Sequence, residues 1–218
     1  MTDFRILDEK DTKEVVEKLY NAYPKAGYYL NFKTIDQLFV LVILSAQTRD
    51  ETVNKLAPQL FSRYQTIKDF AYANPTELSK MIKSVNFANS KADHIIAASK
   101  VIMQEFGGKV PNTMEFLTKL PGIGRKSANV ILTNGFGIVE GIPVDTWVIK
   151  ISRRLGLTQN IDPDKIEKDL ISKLPKSRWS KLQYVFKEHG KSTCKVVPIC
   201  SKCVVNRLCK RNGVVKSI

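Results

Sequence analysis

The stretch Leu120-Pro121-Gly122-Ile123-Gly124-Arg125-Lys126-Ser127-Ala128-Asn129-Val130 decides the fold. Apolar residues at i, i+3 and i+6 over 114–120 predict a helix, which Pro121 ends. Gly122 and Gly124 can adopt the positive φ of a tight turn, and a second helix is predicted over 126–134. Backbone N–H groups and a positive helix dipole then face solvent, which suits an anion such as a nucleic-acid phosphate. An ordinary joint between two helices would leave the same pattern.

The composition indicates which class of binding partner to expect. The chain has 218 residues, of which 43% are hydrophobic, so it can bury a core as one large or two small domains. Its formal net charge of +14 favours a polyanionic partner, either nucleic acid or an anionic membrane surface. No acidic residue follows Glu188, whereas lysines and arginines accumulate there.

Nothing in the sequence indicates export or membrane insertion. The N-terminal residues are polar, and the longest apolar run, 38–46, is too short to span a bilayer and favours a buried helix. We therefore expect a soluble, cytoplasmic monomer that is nucleoid-associated if the source is prokaryotic.

Helical periodicity runs through the chain and few stretches alternate with period two, so we predict an all-α fold. Asn74, Asn112 and Asp162 look like N-caps and Gly156 like a helix stop. A domain boundary is expected near 135–143. The predicted helices are 11–20, 35–46, 51–61, 67–72, 75–84, 90–106, 113–120, 126–134, 146–155, 163–174 and 179–190.

All four cysteines lie within the last 25 residues, with the spacing C-x5-C-x2-C-x5-C: Cys194, Cys200, Cys203 and Cys209. Disulfides are not expected without an export signal. Zinc sites usually present two C-x2-C pairs, whereas one such pair between two longer gaps suits a bulkier group. A [4Fe-4S] cluster is therefore favoured, with zinc and unligated thiols as alternatives.

Two residues are candidates for catalysis. Lys126 opens the second hairpin helix beside Arg125, and both the dipole and the neighbouring cation favour a neutral amine that can form a Schiff base. A phosphate-binding lysine is the alternative. Asp145 follows an apolar strip and precedes a helix, so it could assist proton transfer or simply cap that helix.

Together these features resemble the endonuclease III family of DNA glycosylases. The resemblance runs from Leu41-Val42-Ile43-Leu44-Ser45-Ala46-Gln47 through the hairpin and Val144-Asp145-Thr146 to the four cysteines. It implies a six-helix barrel domain over 28–138, with the helix-hairpin-helix at about 114–134. Residues 1–27 and 139–218 would form a helical iron–sulfur domain, with the cluster loop over 194–209.

The resemblance also implies roles for single residues. Lys126 matches the family's nucleophile and Asp145 its acidic partner. Gln47 matches the side chain that fills the hole left by a flipped base, and Phe87 lies in the intercalating loop just before Asn89-Ser90-Lys91-Ala92. Without the resemblance, Gln47 would be interpreted as a helix C-cap or surface residue and Phe87 as core.

Further DNA contacts are expected from Gly122, Gly124, Arg125 and Lys195. Three features depart from the family pattern. Trp147 stands where the family usually has His, Asn86-Phe87 replaces a commoner Gly-Leu, and the first cysteine gap has five residues instead of six.

The function that the resemblance implies is base excision repair. The enzyme would remove oxidised pyrimidines from double-stranded DNA and nick abasic sites by β-elimination through a lysine Schiff base. One alternative is a mismatch-directed thymine or uracil glycosylase of the same fold. A non-catalytic DNA-binding redox module is the other, and only Lys126 together with Asp145 speaks against it.

Overall fold

The computed structural model describes residues 4–218, and it is helical throughout, without a β-strand in that part of the chain. The predicted all-α class is confirmed. Every helix among the described residues is too short or too polar to cross a bilayer. The α-helices are α1 Glu9–Ala22, α2 Ile35–Ser45, α3 Asp50–Arg63, α4 Ile67–Ala71, α5 Pro75–Met81, α6 Ala88–Glu105, α7 Met114–Leu117, α8 Arg125–Ile131, α9 Thr146–Leu155, α10 Pro163–Lys173 and α11 Trp179–Ser192.

The chain divides into two compact units. Tyr29–Glu140 forms one of them, here called the hairpin unit, and it contains α2 to α8. The described part of Met1–Tyr28 joins Gly141–Ile218 in the other, here called the terminal unit, with α1 and α9 to α11. The first three residues of the predicted iron–sulfur domain lie outside the described residues.

The hairpin unit is built around α2. Its seven residues from Leu38 to Leu44 are all buried, because the helix is packed on several sides and has no polar face. It contacts α3, α6 and α8. A helix that is apolar all round can be stable only inside such a bundle, as the sequence predicts for this run.

The terminal unit packs α11 against both α1 and α9. The outer helices α1 and α9 each bury one stripe, whereas α11 is buried all round over 182–186: Val15, Val16 and Leu19 from α1, Val148, Ile151 and Leu155 from α9, and Leu182, Val185 and Phe186 from α11. The one-sided burial of α1 and α9 is what their 3.6-residue periodicity predicts.

Most helix boundaries differ from prediction by one to three residues, and two of the differences concern the hairpin. The N-cap of α7 is Thr113, whose hydroxyl accepts from the Phe116 N–H, so the prediction of Asn112 is wrong by one residue. The helix predicted over 126–134 starts at Arg125, and after Ile131 it continues as a π-helix, Leu132–Phe136.

Asn134 contacts the backbone where the helix type changes. Its side-chain amide donates to the Val130 carbonyl at 2.8 Å, and an α-helix would pair that carbonyl with the backbone N–H of residue 134.

Candidate functional site

The hairpin between α7 and α8 is fixed by two buried apolar residues and by one glycine with a positive φ. Leu120 and Ile123 are buried, and the Ile123 N–H donates to the Leu120 carbonyl at 3.1 Å. Gly122 has φ +80°, as predicted, and an added Cβ there would lie 3.0 Å from the His94 Cβ. Gly124 has φ −92°, so the prediction of a positive φ at this position is wrong.

The role of Gly124 is to leave open space beside the backbone, rather than to adopt a positive φ. It is the exposed N-cap of α8, and an added Cβ would meet no atom within 4 Å. No side chain caps this helix. The backbone at the start of α8 is therefore open to close approach by a ligand.

The two residues after Gly124 are basic and begin α8. Arg125 is exposed and Lys126 is partly buried, and they are the first two residues of the helix. The Lys126 side chain thus starts from the end of the helix where the dipole is positive.

The residues before α3 and before α6 form two adjoining turns. Gln47 has φ +53° and Phe87 has φ +59°, and with Arg211 they are the non-glycine residues of positive φ in the described chain. Both are exposed, Phe87 by 64%, so the core reading of Phe87 is wrong. Asn86 joins the turns, because its side chain donates to the Gln47 carbonyl and its N–H donates to the Thr48 hydroxyl at 3.2 Å.

Asp145 is held by three N–H donors. It is the N-cap of α9, where its Oδ1 accepts from the Trp147 and Val148 N–H groups, each at 2.9 Å. Its Oδ2 accepts from Nε2 of the buried Gln183, also at 2.9 Å. The capping role is thus present, and the second oxygen has a side-chain partner besides.

Trp147 packs on α11 at a glycine. A Cβ at Gly190 would lie 2.2 Å from the Trp147 ring, so the indole fits only because that position has no side chain. The Lys150 ammonium lies 4.1 Å from the centroid of the Trp147 ring, which is a cation–π contact within α9.

The four cysteines line one cavity in the terminal unit. In the part of the chain that the structure describes, no group of three or more His, Cys, Asp or Glu side chains is arranged to hold a metal ion. The rest of the lining is largely apolar or basic: Arg154, Leu155, His189, Thr193, Pro198, Ile199, Asn206, Arg211 and Val214. Burial raises the pKa of Cys209 to about 11 and also raises the pKa of Cys203.

Arg154 organises the first gap of the cysteine loop. Its guanidinium donates to the Lys195 carbonyl at 2.6 Å, to the Val196 carbonyl at 3.1 Å, and to the Cys194 sulfur at 3.4 Å. The Lys195 side chain stays exposed. The loop backbone is therefore fixed while its lysine faces solvent.

Buried His189 faces another cysteine. Its Nδ1 lies 3.1 Å from the Tyr23 hydroxyl and its Nε2 lies 3.9 Å from the Cys203 sulfur. Burial, together with the nearby Lys150, lowers the pKa of His189 to about 4, so its ring is neutral at pH 7.

The predicted site residues therefore fall into two sets. Gln47, Phe87, the hairpin glycines, Arg125 and Lys126 belong to the hairpin unit. Asp145, Lys195 and the four cysteines belong to the terminal unit. Sequence reasoning missed Gln183 and Arg154, whose partners are 38 and 40 residues away along the chain.

Comparison with known proteins finds one family. Residues 40–176 match the model of the HhH-GPD superfamily base excision DNA repair proteins. Endonuclease III of Synechocystis sp. is 42% identical over 90% of this chain and 90% of its own length. Endonuclease III of Bacillus subtilis is 36% identical over 94% of each chain.

Solved structures agree. A trapped endonuclease III–DNA covalent intermediate matches with a TM-score of 0.90 and 32% identity, over 94% of this chain and 97% of that one. A thermostable thymine-DNA glycosylase has a TM-score of 0.83 at 19% identity over 93% and 96%, which shows a shared fold. This chain belongs to the HhH-GPD superfamily of base excision DNA repair proteins and, within it, to the endonuclease III family.

Proposed function

We propose that this protein is a bifunctional DNA glycosylase and abasic-site lyase. It removes oxidised pyrimidines from double-stranded DNA and nicks the strand at abasic sites. The observation that carries the proposal is the match, over 94% of the chain, to an endonuclease III trapped in a covalent complex with DNA. Lys126 supports it further, because a lysine amine in the first turn of the hairpin helix can form such a bond.

Lys126 is the nucleophile. Its neutral amine attacks C1′ of the damaged nucleoside, the bond from C1′ to the base breaks, and the base leaves with a proton. The sugar ring opens to give a Schiff base between C1′ and the lysine nitrogen. Loss of a proton from C2′ then expels the 3′ phosphate by β-elimination, and water releases the lysine.

Asp145 is the acidic partner in this reaction. Its carboxylate stabilises the positive charge that develops at C1′ as the base departs, and it can relay the proton of the attacking amine. The three N–H donors on Asp145 support this role because they fix the direction of the carboxylate before the substrate arrives.

Gln47 and Phe87 fill the gap that an extruded nucleotide leaves in the duplex. A base inside a duplex is out of reach of the enzyme, so the nucleotide must be extruded at a cost of a few kcal/mol. Both side chains are exposed and stand on backbones with positive φ, as expected of residues that enter the gap and stack on the remaining bases.

The phosphate backbone is bound by the hairpin and by the basic cysteine loop. Gly122 and Gly124 let a phosphate approach the N–H groups at the start of α8, and Arg125 and Lys195 supply charge. The open space at Gly124 and the exposed side chains of Arg125 and Lys195 support this assignment.

The residues that would hold a [4Fe-4S] cluster are Cys194, Cys200, Cys203 and Cys209. The fit rests on four thiols around one cavity whose apolar residues would shield the group from water, and on the Arg154 guanidinium, which donates a hydrogen bond to the Cys194 sulfur at 3.4 Å. These four thiols would cross-link the C-terminal segment through the bound group, while Arg154 holds the backbone of the loop.

The two units carry these roles as domains. The domain over 28–138 bears the hairpin and the residues that enter the duplex, and residues 1–27 with 139–218 form the iron–sulfur domain. The partner is double-stranded DNA with damaged bases or abasic sites, bound by a monomer in the cytoplasm or nucleoid.

Borohydride trapping tests the nucleophile. The wild-type protein should form a covalent adduct, in the presence of borohydride, with a duplex that contains thymine glycol or an abasic site. Lys126→Gln should form none, because no amine is left to make the Schiff base. Its DNA affinity should fall little, since one charge is lost from a total of +14. Denaturing gels and fluorescence anisotropy provide the two readouts.

Lys119→Gln is the matched control, because Lys119 is an exposed lysine of the same hairpin. It should trap as the wild type does. An adduct that survives Lys126→Gln would show that another amine does the chemistry. Preferred action on a G·T mismatch over thymine glycol would instead favour the mismatch-directed glycosylase.

A further inference from the structure

Lys91 is a buried lysine for which the proposed reaction has no use. It is the fourth residue of α6 and is 5% exposed. Its ammonium donates to the Leu44 carbonyl at 2.7 Å, the Ala46 carbonyl at 2.6 Å, and the Thr48 hydroxyl at 2.9 Å. An ammonium has three N–H donors, so each one has an acceptor.

These acceptors lie at the end of α2 and in the turn that follows it. A helix leaves its last carbonyls without intrahelical donors, and its dipole makes that end negative. The Ser45 hydroxyl donates to the Val42 carbonyl, and Lys91 supplies the donor for Leu44. Burial lowers the pKa of Lys91 to about 8, which leaves the ammonium charged at neutral pH.

The same residue also contacts the second turn. The Lys91 backbone N–H donates to the Phe87 carbonyl at 3.0 Å, in the first turn of α6. Its side chain meanwhile holds Ala46 and Thr48, the two neighbours of Gln47. Asn86 closes the arrangement through Thr48 and the Gln47 carbonyl. One buried lysine thus connects both exposed residues of positive φ in the hairpin unit.

We propose that Lys91 is a positioning residue, which holds the turns of Gln47 and Phe87 in the conformation that enters the duplex. A non-glycine residue at positive φ is costly and persists only where surrounding contacts impose it. The bonds of Lys91 on either side of Gln47 and at Phe87 impose it on both turns together. The inference rests on the proposed function, because it assigns a support to the side chains that fill the DNA.

Lys91→Met tests the proposal, since methionine has a similar length and cannot donate. Its kcat/KM for thymine glycol in a duplex should fall about tenfold or more, because misplaced residues cannot stabilise the extruded state. Borohydride trapping on a single-stranded abasic oligonucleotide should stay within about twofold of wild type, since no paired base must be extruded there. A 2-aminopurine opposite a tetrahydrofuran abasic analogue should show a smaller fluorescence change on binding.

Lys100→Met is the matched control, because Lys100 is an exposed lysine on the same helix. It should behave as wild type in all three measurements. If Lys91→Met does not fold, Thr48→Val removes one acceptor of the ammonium and should give the same split between substrates in weaker form.

Two outcomes would overturn the positioning role. Equal losses on duplex and single-stranded DNA would show general damage to the fold, and wild-type behaviour in every assay would show that the turns hold without Lys91. Failure of the proposed function is recognised separately, because the wild-type protein itself would then form no trapped adduct.

Discussion

At the scale of single residues, Asp145 combines two tasks in one side chain. One carboxylate oxygen caps α9 through two backbone N–H groups, and the other accepts from Gln183. Asparagine caps a helix about as well as aspartate, so capping needs only the oxygen. The proposed stabilisation of C1′ needs the negative charge as well. The two tasks can therefore be separated by one substitution.

Asp145→Asn should lower single-turnover base excision by at least about a hundredfold, because the charge acts in the transition state. Its free energy of unfolding in urea should stay within about 0.5 kcal/mol of wild type, since the amide oxygen still caps the helix and the Gln183 amide can turn its Oε1, which has no partner among the described residues, toward the new NH2 group. Asp162→Asn at the N-cap of α10 is the control and should alter neither quantity. Normal turnover in Asp145→Asn would reduce Asp145 to a helix cap.

At the scale of elements, the sequence predicts helices well where periodicity and punctuation agree. The caps Asn74 and Asp162, each followed by proline, and the stop at Gly156 lie where predicted. Local patterns could not reveal contacts between distant segments, such as Gln183 on Asp145. For the same reason they left Phe87 in the core, because an aromatic residue does not reveal from its neighbours whether a partner covers it.

The two hairpin glycines should respond differently to alanine, because they serve different ends. Gly122→Ala should destabilise the protein by about 1–3 kcal/mol, since it forces a Cβ into positive φ and against His94. Gly124→Ala should cost less, about 1 kcal/mol at most, because its φ of −92° is ordinary and its surroundings are open, so the only loss is that alanine is a poorer N-cap than glycine. Thermal or urea unfolding measures both effects.

For DNA affinity, in contrast to stability, we expect Gly124→Ala to have the larger effect of the two. The methyl group of Gly124→Ala occupies the space that the proposed phosphate needs, so Kd should rise about tenfold, which is about 1.4 kcal/mol. Fluorescence anisotropy with a duplex that carries an abasic analogue measures it. Unchanged affinity in folded Gly124→Ala would place the phosphate elsewhere.

At the scale of the whole molecule, the two ends of the described chain are bonded together in the terminal unit. The Asn212 side chain accepts from the Arg5 N–H at 3.1 Å and donates to the Arg5 carbonyl at 2.7 Å. The Leu7 N–H donates to the Gly156 carbonyl at 2.8 Å. A group held by the cysteine loop would therefore stabilise the N-terminal segment as well as the C-terminal one.

Loss of the proposed cluster should accordingly lower the thermal stability of the protein. Anaerobically purified protein should be brown and carry about four iron atoms per chain. Cys200→Ser should lower the iron content and reduce Tm by at least about 5 °C, because metal binding and folding are coupled. Ser201→Ala, at the next residue, should change neither. One zinc ion per chain without iron would rule out the cluster.

The contact between Trp147 and Gly190 links the evolutionary histories of two positions. Because a methyl group at 190 would lie 2.2 Å from the indole, no side chain can be gained there while the tryptophan remains. A change at 190 becomes tolerable only after a smaller ring has replaced Trp147. The order in which the two mutations arise therefore matters. In a lineage that has acquired the tryptophan, position 190 of α11 must remain glycine.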